Sequence, residues 1–232
     1  MIDVMGKSSD QVPAEWVSAT SYIDYDTPAV RAFLSQVLKN NDTLPDTEKA
    51  IFLFNAVRDQ IRYDPYQIGF EKAEYKASYI ADLPAAFCVP KAILLTACLR
   101  AIGIPAGVGF ADVKNHLNSP KLAEKMGTDL FVYHGYVALE LEGRVYKVTP
   151  TFNQELCDRF GVKVIEFDGK SDALFHEFDA DQNKHMEYVK DRGIFQNPPM
   201  VHILNDLEVI YPKLKAMKNQ TAKIEEDPQF AA

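Results

Sequence analysis

Cys88 is the residue around which covalent chemistry can be read. It stands at the end of Pro84-Ala85-Ala86-Phe87-Cys88, where a strongly apolar segment begins. If that segment is a helix, its first turn offers free N–H groups and partial positive charge. Both favour a thiolate, and the same N–H groups could hold a developing oxyanion. Cys98, by contrast, falls in mid-segment among Leu94, Leu95 and Leu99, which suits a small core residue. A lone cysteine is ordinarily a packing residue, so a functional reading of Cys88 requires a base.

Strand geometry supplies one. In Phe131-Val132-Tyr133-His134-Gly135-Tyr136-Val137-Ala138-Leu139, alternation puts His134, Tyr136 and Ala138 on one face. With Glu142-Gly143 as a two-residue hairpin turn, Leu141 opposes Arg144. His134 then faces Thr151, and Thr149 lies diagonally within reach. The hairpin is expected to bring one histidine and two hydroxyls to a common surface. The other histidines fit the role less well: His116 lies in a polar excursion, and His176, His185 and His202 lie in a late acidic part. No HExxH or CxxC…CxxC spacing supports a metal, and no glycine-rich phosphate loop is present. The expectation is no metal and no cofactor.

The elements that must position these residues can be followed along the chain. Pro28–Lys39 has helical spacing of Val30, Phe33, Leu34, Val37 and Leu38. A second helix is predicted from Thr43-Leu44-Pro45-Asp46, with Thr43 as cap and a stripe of Ala50, Ile51, Phe54, Val57 and Ile61. Residues 67–84 read as irregular. Phe87–Ile102 is the most apolar helix, carrying only Lys91 and Arg100 as charges, so protein must surround it. Gly103 and Pro105 end it. Then Ala106–Val113 reads as a strand, Lys114–Asp129 as a polar excursion, and Leu130–Leu141 with Arg144–Val148 as a hairpin. After Pro150 the pattern is aromatic and acidic, with one late helix over Val201–Tyr211. Helices followed by strands predict an α+β fold, with N-terminal helices and a buried Cys-bearing helix packed on an antiparallel β-sheet.

The whole chain, 232 residues with 47% hydrophobic composition, fits a single domain able to bury a core. Its 25 basic against 33 acidic residues give a net charge of −8, which disfavours nucleic acid and anionic lipid as partners. The apolar run Ala92–Leu99, flanked by Lys91 and Arg100, is too short to span a membrane. Met1–Gln11 shows no secretory h-region, and Cys88, Cys98 and Cys157 form no disulfide framework. A cytoplasmic, reduced protein is expected.

In order along the chain, Cys88 opening the apolar helix, Leu99-Arg100-Ala101-Ile102-Gly103-Ile104-Pro105-Ala106 closing it, a strand, His134, and Thr149-Pro150-Thr151 resemble the transglutaminase-like superfamily. Val57-Arg58-Asp59-Gln60-Ile61-Arg62-Tyr63 is similar to that family's helix leading into the site. The resemblance covers a core of about 45–153, with an N-terminal arm and helix over 1–44 and a loop-rich C-terminal wrapping over 154–232. It implies a papain-like core and thiol-dependent acyl transfer on a peptide, amide or acyl substrate. Cys88 would be the nucleophile and His134 the base. The third position falls on Thr149, where the family carries Asp.

A threonine hydroxyl offers a neutral hydrogen bond where a carboxylate would stabilise imidazolium. Three readings follow: Thr149 orients His134, another group such as Asn153, Asp168 or Asp172 substitutes, or the site is degenerate and the protein binds without catalysing. Among active readings, hydrolysis is preferred to amide formation, because water attacks an exposed acyl-enzyme unless a dry channel admits an amine. The aromatic, acidic stretch Phe167–Asp179 reads either as a wrapping or as a lid. Tyr63, Tyr66, Tyr75 and Tyr79 read as core packing before they read as a cleft.

Overall fold

The apolar segment that begins at Cys88 becomes the central helix, and the rest of the chain is built around it. The computed structural model describes residues 11–39, 41, 43–115, 119–174, 186–218, 227 and 229–230. The helix runs Cys88–Ala101, and every residue from Cys88 to Arg100 is buried. It has no polar stripe because no part of its circumference meets water. Gly103, at φ +86°, turns the chain out of it, in the left-handed conformation that glycine adopts without strain. Buried Arg100 donates to the carbonyls of Ala106 (2.8 Å), Ser18 (3.0 Å) and Gln196 (2.9 Å). One guanidinium thereby ties together three distant backbone segments.

In chain order the helices before it are α1 (Pro28–Val37), α2 (Asp46–Gln60) and the short α3 (Ala77–Ile80), and the central helix is α4. Two-residue strands β1 (Arg62–Tyr63) and β2 (Ala85–Ala86) pair in parallel just ahead of Cys88. Pro45 rather than Thr43 precedes α2, and no side chain caps it. Its buried set includes Leu53, Ala56 and Arg58 beside Ala50, Phe54 and Val57, because α4 and the later loop cover more of α2 than one stripe.

The main sheet comprises β3 (Ala106–Asn115), β4 (Leu130–Leu141), β5 (Arg144–Val148) and β6 (Met186–Phe195), in the order β5-β4-β3-β6 with every neighbour antiparallel. The hairpin has the expected register, Leu141 opposite Arg144 and Val137 opposite Val148. Glu142 and Gly143 both have positive φ, the conformation of a type I′ turn. The ladder ends at Val148, so Thr149 to Thr151 leave it and the expected strand pairing of His134 with Thr151 does not form. α4 packs on one face of this sheet. On the other face Trp16 from the N-terminal arm lies with Ala111, Tyr136, Ala138 and Ile194.

The α+β architecture, helices beside an antiparallel sheet with the Cys-bearing helix buried between them, is the one the sequence predicts. The structure adds the short β1, α3 and β2 ahead of Cys88, α3 within the stretch 67–84 that reads as irregular, and later α5 (Pro120–Met126), α6 (Gln154–Phe160), β6 and α8 (Pro212–Lys218). The late helix is present as α7 (Met200–Ile210). The C-terminal part thus contributes an edge strand and three helices as well as loops. Much of β6 is exposed on both faces, which erases the alternation by which a strand is recognised. His116, His176 and His185, and the end of the Phe167–Asp179 stretch, lie outside the described residues.

Candidate active site

Cys88 is the first residue of α4, reached through the extended Phe87, and is 8% exposed. Backbone N–H groups of Gly135, Val89 and Cys88 itself lie at its sulfur and favour the thiolate, as does the charge of Lys91. Burial outweighs them and pushes the thiol up to about 11. The helix N-terminus therefore acts as expected, but desolvation wins. Burial likewise pushes Cys98 up, with no compensating donor. Cys157 is also raised to about 11 by burial.

Gly135 explains how β4 reaches the helix. A Cβ there would lie 2.9 Å from Cα of Val89 and 3.1 Å from the carbonyl oxygen of Cys88. Only a residue without a side chain lets this strand approach the first turn of α4 so closely. A glycine inside a strand pattern was the signal that could have identified this contact in the sequence.

His134, the next residue back along β4, is 4% exposed and lines the same cavity as Cys88. The strand is irregular here. Ala111 pairs with His134 and Val113 with Phe131, so β4 carries one extra residue in this interval. Tyr133 takes φ +56°, an unfavourable conformation for a bulky side chain. Its N–H donates to Asp112 (3.1 Å) and its hydroxyl to Asp206 (2.5 Å). Asp112 also holds Arg192 through two contacts, 2.6 and 3.0 Å, and the guanidinium lies 3.9 Å from the Tyr133 ring centroid. Because alternation is interrupted, Phe131, Val132 and His134 all reach one cavity. Burial lowers the imidazole to about 3, so the resting pair is a thiol and a neutral imidazole.

The groups considered for orienting His134 are occupied or differently placed. Thr149 and Thr151 are fully buried, and neither hydroxyl makes a hydrogen bond among the described residues. Asn153 accepts the Tyr63 N–H at 3.0 Å, fixing β1. Asp168 turns back on its own loop, accepting from Lys170 N, Ser171 N and the Ser171 hydroxyl. Asp172 accepts from Lys147 N at 3.0 Å.

Tyr63, Pro65, Ile68, Met126 of α5, Leu207 and Tyr211 also line this cavity. Of the four tyrosines ahead of the cysteine, Tyr63 lines this cavity and Tyr75 is buried, whereas Tyr79 is 47% exposed. The Tyr211 hydroxyl is already engaged, accepting from Val132 N and donating to Leu130 O, both at 2.8 Å. Two segments of the lining are strapped from outside. Asp227 accepts from Ser119, ahead of α5, at 2.6 Å and from Tyr66 at 2.7 Å, while Phe230 packs on Tyr63 and Tyr66. Beneath Cys88, buried Lys91 donates to the carbonyls of Arg58 (2.8 Å) and Ile61 (2.5 Å) at the end of α2, and burial lowers its amine to about 7.

Residues 32–144 match the model of the transglutaminase-like superfamily. Cys88 and His134 lie within the matched residues, and Thr149 lies beyond them. The match supports a cysteine-dependent enzyme in general terms. No curated protein matches the sequence. One similar solved structure is described as a "Putative Cysteine Protease from Cytophaga hutchinsonii", with 13% identity and a TM-score of 0.44. The alignment covers 81% of this chain and 57% of that one, so the chain spans just over half of that protein's length. Among the described residues no helix is long and apolar enough to cross a membrane, and no three His, Cys, Asp or Glu residues form a metal-binding group.

Proposed function

We propose that this protein transfers acyl groups from an amide or ester through a Cys88 thioester, with His134 as base and water as the preferred acceptor. The carrying observation is the meeting of β4 with the first turn of α4, which puts the Gly135 and Val89 N–H groups at the Cys88 sulfur, in a cavity that His134 also lines.

The sulfur attacks the substrate carbonyl carbon while the imidazole takes the thiol proton, so no free thiolate has to accumulate. Backbone N–H groups beside the sulfur stabilise the oxyanion as the carbon becomes tetrahedral. Collapse expels the amine or alcohol, which takes the proton from imidazolium, and leaves the thioester. Water then attacks that carbonyl, gives its proton to the imidazole, and releases the acid as the thiol is restored. Thr149 stands at the third position without a carboxylate, and its hydroxyl would support the imidazole only after a local rearrangement.

Transfer to an amine is the second reading, favoured by the apolar walls around Cys88, which exclude the competing water. Small thioesters provide the test. An acyl adduct on Cys88, detected by mass spectrometry, should disappear in Cys88→Ala and persist in Cys98→Ala. Release of free acid supports hydrolysis, and formation of an amide with an added amine supports the second reading. Acylation of Cys98 or Cys157 in place of Cys88 would overturn the assignment.

A further inference from the structure

Apart from the reacting pair, the cavity beside Cys88 is walled by aliphatic and aromatic side chains, and among the described residues no carboxylate, ammonium or guanidinium lines it. Of the two tyrosine hydroxyls in its lining, that of Tyr211 uses both its donor and its acceptor capacity on β4. A charged substrate group placed there would lose its hydration without meeting a counter-charge. An aliphatic chain would gain contact on every side.

Resting on the acyl-transfer reading, we propose that this cavity is an acyl pocket selecting an aliphatic over a charged acyl group. The carbonyl sits at Cys88 and the Gly135 N–H. The chain lies against Ile68, Met126 and Leu207. The leaving group lies outside this cavity. Selectivity then comes from the acyl portion, because that is the part the protein encloses.

Two measurements separate this proposal from the catalytic reading it rests on. The first uses thioesters of one small thiol carrying acetyl, hexanoyl, octanoyl or succinyl groups, following acylation of Cys88 in the whole chain. The rate should rise about three- to fourfold per added methylene up to octanoyl, the ratio expected for burying one methylene, with succinyl no faster than acetyl. The second is calorimetric binding of octanamide and acetamide to Cys88→Ala, which needs no chemistry. Octanamide should bind at least a hundredfold more tightly. Ile68→Trp, at a partly exposed wall position that tolerates a larger ring, should shift the preference from octanoyl to a shorter chain. Octanamide binding no tighter than acetamide would overturn the acyl pocket. Acylation of Cys88 at equal rates by all chains would also overturn it, while leaving the catalytic reading intact. Tight octanamide binding without acylation of Cys88 by any thioester would support the pocket and remove the catalytic reading.

Discussion

Gly135 lies against Cys88 so closely that a single added carbon would stand 3.1 Å from the cysteine's carbonyl oxygen and 2.9 Å from Cα of Val89. The contact is backbone on backbone, so no side chain can rotate away to relieve it. It fixes the distance between the sheet and the head of α4, brings an N–H to the sulfur, and sets His134 at the same cavity.

Gly135→Ala should therefore force β4 and α4 apart. The expected cost is about 2–3 kcal/mol of stability, typical of overpacking a dense core, read from urea unfolding. Cys88 acylation should fall by at least tenfold because the strand moves. A variant with native stability and undiminished acylation would mean that the approach of these two elements is not what builds the site.

The pH response has a definite sign. With its thiol raised to about 11, Cys88 should alkylate slowly at neutral pH and about tenfold faster per unit up to that value. Folding stability from this group is full below its unfolded value near 9 and is lost as pH rises through about 11. His134 titrates the other way. Its folded value of about 3 lies below the ordinary 6.5, so the unfolded chain binds the proton more readily. Stability is full above pH 6.5 and falls by up to about 1.4 kcal/mol per unit on acidification toward pH 3. Urea titrations of wild type and His134→Gln should differ in slope by up to that amount between pH 4 and 6.5, and run parallel from there to pH 8. An alkylation midpoint below 8 would contradict the desolvated site described here.

Thr149 tests the orienting role directly. Its hydroxyl is buried and makes no hydrogen bond among the described residues, and such a group costs stability. Thr149→Val keeps the shape and removes the oxygen. Stability should be unchanged or raised by up to about 1 kcal/mol, with Cys88 acylation within twofold of wild type. A loss of acylation without a loss of stability would show that the hydroxyl engages His134 during the reaction.

The sequence carried the parts of this architecture that have local signals. The span of α4, to within one residue at each end, its glycine terminator and the hairpin register as far as Val137 opposite Val148 all follow from periodicity and turn chemistry. The head of α4 was legible as a donor site but not as a dry one, because the cavity beside Cys88 is lined by Leu207 and Tyr211, more than a hundred residues away. Likewise α5 was hidden in a polar stretch: only Leu122 and Met126 of its seven residues are buried. The left-handed Tyr133 had no signal of its own. It is held by Asp112 and Asp206, and tertiary partners of this kind are not encoded in spacing.

Asp112 separates positioning from plain stability. It accepts the Tyr133 N–H and pairs with Arg192, so one carboxylate both holds the unfavourable backbone ahead of His134 and fixes an ion pair. Asp112→Ala removes both functions and leaves the Tyr133 N–H and a half-buried guanidinium without their acceptor. The expected cost is about 2–3 kcal/mol, reduced from that of a fully buried pair by the partial exposure of Arg192. Asp112→Asn keeps an amide oxygen for Tyr133 while weakening the ion pair, so it should lose about half as much stability. If Asp112 positions His134 through Tyr133, acylation of Cys88 should survive in Asn and fall at least tenfold in Ala. The imidazole NMR titration should likewise keep its depressed midpoint in Asn and move toward 6.5 in Ala as the ring gains water. Parallel loss of acylation and stability in both variants, with no difference in the imidazole titration, would reduce Asp112 to a structural ion pair and leave the backbone at Tyr133 held by other contacts.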